Sequence, residues 1–150
     1  MQRKNPYIFY FIDKYNIDEL TNLEKNIDLI FRNYNKKLEV DEIKSIQKFC
    51  KINKRNLYLS NNIKLALKLG LSGVYIPSFN NSLNFASKHS LPNKFEIIGS
   101  AHNVNEIKVK KLQKCSKIFL SPIFKSKKKQ KFLSTIKFNL TVMFEDINFI

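Results

Sequence analysis

The sequence predicts an α/β fold built from consecutive parallel β/α units, and three observations predict it. Short apolar runs alternate with amphipathic helical stretches along the chain. The runs begin roughly every 20 residues, with one longer interval. They are continuously apolar rather than alternating, which suits strands buried on both faces.

The elements follow in order. Tyr7 to Ile12 is rich in aromatic and β-branched residues and reads as the first strand, ending at Asp13. A short helix is expected around Asp18 to Lys25, then a second strand from Ile27 to Phe31 that ends at Arg32. Val40, Ile43, Ile46, Gln47 and Cys50 recur near a 3.6-residue period, so Val40 to Lys51 is a helix. Leu57 to Leu59 is the third strand. Asn62 can cap the next helix, whose inner face would carry Ile63, Ala66, Leu67 and Leu69, and Gly70 stops it. Val74 to Ile76 is the fourth strand, with a helix expected over Ser82 to Lys88. Phe95 to Ile98 is the fifth. Asn103 and Glu106 have capping-box spacing and open a helix with Ile107, Val109 and Leu112 among its apolar positions. Ile118 to Leu120 is the sixth strand. The segment from Phe132 to Ile150 has room for a sixth helix and a seventh strand. The repeat is therefore TIM-barrel-like but incomplete, with about six to seven β/α units, because a closed eight-unit barrel takes about 200 residues or more. An open doubly wound sheet is the alternative that 150 residues would complete.

Composition narrows the functional classes. The chain carries a formal charge of +15, yet all but three of its 27 basic residues are lysine. Base and phosphate recognition on nucleic acid favours the forked guanidinium, so nucleic acid is disfavoured as a partner and the charge reads as solvated lysine. No apolar run approaches the ~20 residues of a membrane-spanning helix. The basic, then apolar N-terminus is broken by Asp13 and Lys14 and is followed by no small-residue cleavage site, which points to a cytoplasmic chain. Cys50 and Cys115 fit no metal-ligand spacing and are expected to be reduced and partly buried.

Polar residues collect where the strands end: Asp13, Arg32, Ser60, Asn61, Ser78, Asn80, Ser100, His102, Ser121 and Ser126. In parallel β/α folds that edge builds the ligand site, since its loops carry free side chains and helix N-termini. A site for a small anion is expected there.

Four segments at this edge resemble the thiamine-phosphate synthase/TenI family, in the family's order. IIGSAHNVNEI (97–107) is similar to its fifth-strand Ser-x-His motif with a following Glu, and IFLSPIFKSKKK (118–129) to its sixth-strand segment. LYLSNNIKLALKLGLSGVYIPS (57–78) follows its third strand, helix and fourth strand, and IFRNY (30–34) holds the position of its second-strand Arg. The likeness covers about residues 7–130. It implies a protein of thiamine biosynthesis, a transferase joining hydroxymethylpyrimidine pyrophosphate to thiazole phosphate, with phosphorylated pyrimidine or thiazole precursors as its small-molecule partners. It further implies Arg32, Ser100 and Ser126 as the catalytic set, and Asp13, Asn61, Ser78, His102 and Lys129 as substrate-binding residues. Mg²⁺ is the implied cofactor.

The chain also departs from the pattern. The family's second-strand Lys is Tyr34 here, its Asn-Asp pair is Ser60-Asn61, and its Gln-x-Asp is Ser78-Phe79-Asn80. Mg²⁺ is usually anchored by one or two carboxylates, and at these positions the family's carboxylate ligands are absent, so no metal ligand is assigned and turnover is doubtful. The TenI tautomerase histidine is Pro122 here. The Gly-Gly phosphate loop and the last β/α units are missing, so residues 1–131 read as a shortened, catalytically degenerate partial barrel and 132–150 as an atypical tail. A non-catalytic phosphate-ligand-binding or regulatory protein on the same scaffold is the alternative. The exposed strand edges of an unclosed barrel also predict a homo-oligomer.

Overall fold

The computed structural model describes residues 7–34, 39–83, 91–125 and 132–150. The chain divides into two compact units, Met1–Val74 and Tyr75–Ile150. Strand order follows sequence order, β1 through β7.

The first unit contains β1 (Ile8–Ile12), α1 (Ile17–Thr21), β2 (Ile27–Phe31), α2 (Val40–Ile52), β3 (Leu57–Ser60) and α3 (Ile63–Lys68), and β4 (Gly73–Ile76) begins in it. β1 pairs β2 and β2 pairs β3, both parallel, with Ile30 opposite Phe11 on one side and Tyr58 on the other. Side chains alternate across the sheet. One face carries Leu29, Phe31, Leu57 and Leu59, all buried; it is the face of α1, because Tyr10, the register partner of Leu29, donates its hydroxyl hydrogen bond to Glu19. The other face carries Phe9, Phe11, Asp28, Ile30 and Tyr58, with Phe9 and Tyr58 meeting edge to face at 5.6 Å. The helix α1 is shorter than expected: Asn16 caps it by accepting from Asp18 and Glu19 N–H groups, and Asn22 already closes it.

The second unit completes β4 and adds β5 (Glu96–Ala101), α4 (Val104–Leu112), β6 (Lys117–Leu120), α5 (Ser134–Phe144) and β7 (Asn148–Phe149). β5 pairs β6 and β6 pairs β7, again parallel. Both the sixth helical stretch and the seventh strand foreseen for residues 132–150 thus form. None of the residues of α5 is buried, and Ile136, Met143 and Phe144 stand well exposed. The helix expected over Ser82 to Lys88 lies largely outside the described residues.

Helix ends follow local chemistry. Asn62 and Asn103 each accept a hydrogen bond from the third residue on, as their positions predict. Three helices stop in the same way: the residue after the C-cap takes a left-handed φ, and its own amide and the next one bond back to the last turn. Gly70 does this after α3 (φ 61), Lys54 after α2 (φ 53) and Lys114 after α4 (φ 62). The bonds run from Leu71 to Ala66, Arg55 to Cys50 and Cys115 to Lys110.

Two expectations are revised. β5 runs three residues past Ile98 because Gly99 does not break the strand but lets it pass close under α4: a Cβ there would sit 2.8 Å from Cys115 Sγ and 3.0 Å from Lys110 Cδ. The inner face of α4 is Ile107 and Lys110, continued by the C-cap Gln113, all buried, whereas Leu112 is 63% exposed and Val109 is half-buried. Hydrophobic periodicity missed this face because two of its three buried positions are polar. α3 likewise buries Ile63 and Ala66 fully and leaves Leu67 and Leu69 half-buried.

Glycine substitutions should therefore act with opposite signs at two positions. Gly99→Ala overpacks the β5–α4 contact and should cost about 1–3 kcal/mol. Lys54→Gly relieves a left-handed residue at a helix end and should gain about 0.5–1 kcal/mol. Urea denaturation of the two variants measures both.

Candidate functional site

In the first unit the loop after β2 gathers the C-terminal ends of β1, β2 and β3. Arg32 donates its backbone N–H to Ile12 O at 2.7 Å, and Asn33 Nδ2 donates to Asp13 O at 2.9 Å. The Tyr34 hydroxyl lies 2.7 Å from Ser60 Oγ. Arg32 and Asp13 are exposed, and Ser60 is buried. The Arg32 guanidinium lies 4.7 Å from the centre of the Phe11 ring and 6.0 Å from that of Tyr34. Aromatic faces attract a guanidinium and orient it while leaving the N–H fork open to an oxyanion. Burial raises the Tyr34 phenol above its ordinary pKa, while the Ser60 hydrogen bond and the Arg32 charge pull it partly back. The phenol therefore stays protonated near neutral pH and remains a donor. Asn61 is exposed and left-handed (φ 58), turning the chain into α3.

In the second unit the imidazole of His102 joins two strand ends. Its Nε2 is 3.2 Å from Ser78 Oγ, just past β4, and its Nδ1 contacts the carbonyl of Ser121, just past β6. A carbonyl only accepts, so Nδ1 carries the proton and Nε2 of the neutral ring accepts from Ser78. Glu106 fixes the approach to α4 by accepting from the backbone N–H of His102 and from Asn103 Nδ2, each at 2.8 Å. Ser100 is buried, and its Oγ accepts from the Tyr75 hydroxyl at 2.9 Å, beside the Tyr75–Phe119 edge-to-face pair. Ser100 is thus buried, one residue before the last of β5. Ser126 and Lys129 lie outside the described residues.

Of the expected site residues, Asp13 and Arg32 share one edge cluster, and Ser78 and His102 touch directly. Sequence reading missed Tyr34 and Tyr75 as polar partners, because each looks like an aromatic residue at or near a strand; only the position of the hydroxyl reveals the role. Lys110 was missed as well. Its burial lowers its pKa, and its ammonium donates to Pro77 O (2.9 Å), Asn80 O (2.7 Å) and Gln113 Oε1 (2.9 Å). Asp28 and Arg55 are buried at the opposite, N-terminal ends of the strands. Asp28 accepts from the N–H and side-chain amide of Asn56, and Arg55 donates to Ile27 O and Leu23 O. A cleft of about 690 Å³ lined by Lys111, Ser116, Glu145 and Asn148 among others also lies at that far end, before β6 and β7.

The donor set at the strand ends is poor for Mg²⁺. Ser60, Asn61, Ser78 and Asn80 offer hydroxyls and amides where a hard dication needs carboxylate charge, and among the described residues no group of three or more His, Cys, Asp or Glu could hold a metal ion. Both thiols are free and buried. Among the described residues no helix is long and apolar enough to cross a membrane.

Set against known proteins, the chain has a barrel-type β/α fold. It is similar to the solved structure of thiamine phosphate pyrophosphorylase from Pyrococcus furiosus, with a TM-score of 0.62 and 12% sequence identity over 95% of this chain and 72% of that one. At that identity the likeness establishes the TIM-barrel-like α/β class expected from the sequence. No protein-family model and no curated protein sequence matches the chain.

Burial pushes the Cys50 and Cys115 thiols up to about 12. An unfolded thiol titrates near 8.5, so above that value the folded state holds protons that the unfolded state has lost. Stability should then fall as pH rises toward 12, by up to about 1.4 kcal/mol per pH unit for each thiol. Cys50→Ala should flatten the decline between pH 9 and 11, measured by urea denaturation; Cys50 is the cleaner probe, since Lys110 lies beside Cys115 and titrates with the opposite sign.

Proposed function

We propose that this chain is a thiamine-phosphate synthase/TenI-like protein that binds a small phosphorylated pyrimidine or thiazole precursor at the C-terminal strand edge, with Arg32 as its anion anchor. One observation carries the reading: an exposed guanidinium held against Phe11, with the Tyr34 and Ser60 hydroxyls paired next to it. A fixed cation flanked by neutral donors suits phosphate or pyrophosphate oxygens and works without proton transfer. The family resemblance implies Asp13, Asn61, Ser78 and His102 for holding the rest of the ligand, Ser100 and Ser126 for the reacting end, and Lys129 for a phosphate. The likeness of IFRNY and IIGSAHNVNEI to the family segments supports these roles, as does the shared fold.

Turnover would need the departing pyrophosphate to be neutralised, and the neutral donors Ser60 and Asn61 favour the second reading, a non-catalytic binder or regulator on the same scaffold. Self-association and a cytoplasmic location belong to the proposal as well.

Titration calorimetry with pyrophosphate tests the binding. Saturable binding is expected, weakened at least ~10-fold in Arg32→Ala, in keeping with about 1.5–3 kcal/mol for a hydrogen bond to a charged group. Equal affinity in the variant would remove the anchor. Incubation with both phosphorylated precursors and Mg²⁺ separates the two readings: thiamine phosphate formed by the wild type and lost in Arg32→Ala means an enzyme, and binding without product means the non-catalytic protein.

A further inference from the structure

Buried lysines are costly, because a low-dielectric interior strips an ammonium of its water. Lys110 is fully buried, yet each of its three donors meets an acceptor, and two of those acceptors belong to one short stretch of chain. Pro77 and Asn80 are the first and last residues of a β-turn closed by the Asn80 N–H to Pro77 O bond at 3.1 Å. Lys110 grips the carbonyls of both. Gln113 adds bonds from its amide to Asn80 O (2.9 Å) and Ser82 O (3.0 Å). Ser78 is the second residue of this clamped turn. It is half-exposed, and its hydroxyl is aimed at the unprotonated nitrogen of His102, whose other nitrogen is held by Ser121 O.

From this geometry we infer that Ser78 and His102 form a nucleophile–base pair for acyl transfer from small activated esters or thioesters, with Lys110 as a positioning residue that holds the turn. The distance of 3.2 Å is within the reach of a general base, and nucleophile, base and orienting acceptor stand in the order that activates a serine. The chemistry is balanced without metal or redox partner. Ser78 Oγ bonds to the acyl carbon as its proton passes to His102 Nε2. The bond to the leaving oxygen or sulfur breaks, and the proton follows it. Water, deprotonated by His102, then cleaves the acyl-serine and restores both groups. The orienting group is a carbonyl rather than a carboxylate, so it fixes the tautomer without neutralising the imidazolium, and only activated acyl groups are expected to react. The inference uses neither Arg32 nor anion binding; it gives Ser78 and His102, assigned above to part of the phosphorylated ligand, a chemistry that can be tested without that ligand.

The test is covalent labelling of the full chain with a fluorophosphonate, with the adduct mapped by mass spectrometry of the wild-type protein, alongside release of nitrophenolate from p-nitrophenyl acetate. The adduct is expected on Ser78. Labelling should vanish in Ser78→Ala and slow about 100-fold or more in His102→Gln, while Ser45→Ala, on the exposed face of α2, labels as the wild type. Lys110→Met should slow labelling without moving the adduct. A wild-type adduct on another residue, or none, overturns the inference whatever the variants do, and so does an unchanged rate in a His102→Gln protein that melts like the wild type.

Discussion

Parallel strands covered on both faces leave polar chemistry little place except at their ends, and the rest of this structure depends on that constraint. β2 and β3 are buried along nearly their whole length, so a charged side chain can reach solvent from them only beyond the last paired residue. Arg32 follows Phe31, the last residue of β2, and Asn61 follows Ser60, the last of β3. The edge is therefore polar for the same reason that the interior is apolar.

A polar edge becomes a site only if its loops are held, and each unit holds them by hydrogen bonds from side chains elsewhere in the chain. In the first unit Asn33 and Tyr34 tie the loop after β2 to the ends of β1 and β3. In the second, Lys110 and Gln113 hold the turn after β4, and His102 bridges the turn to the end of β6. The opposite strand ends are locked by Arg55 and by the Asp28–Asn56 pair. A buried polar group left without a partner costs about 1–3 kcal/mol, so these contacts specify loop conformations more sharply than apolar packing would.

Much of the scaffold was legible in the residues because its signals are local. β2 matched its expected bounds, and Asn62, Asn103 and Gly70 acted within one helical turn of themselves. The candidate residues at the strand ends were legible too, since a strand end is a local event. The partners of those residues were not. Nothing around Tyr75 in GVYI says that its hydroxyl reaches Ser100, and Lys110 within the basic stretch IKVKKL (107–112) looks like another solvated lysine.

By itself, then, the sequence determined the alternation of strands and helices, the caps that bound them, and which polar residues stand at strand ends. Hydrophobic periodicity and capping act over three or four positions and need no knowledge of the rest of the chain. Only tertiary structure decided that Lys110 is buried, that Asp28 meets Asn56, and that Ser78 meets His102, because these partners lie 24 to 33 positions apart. Contacts at that range exist only once parallel strands have set the loops side by side.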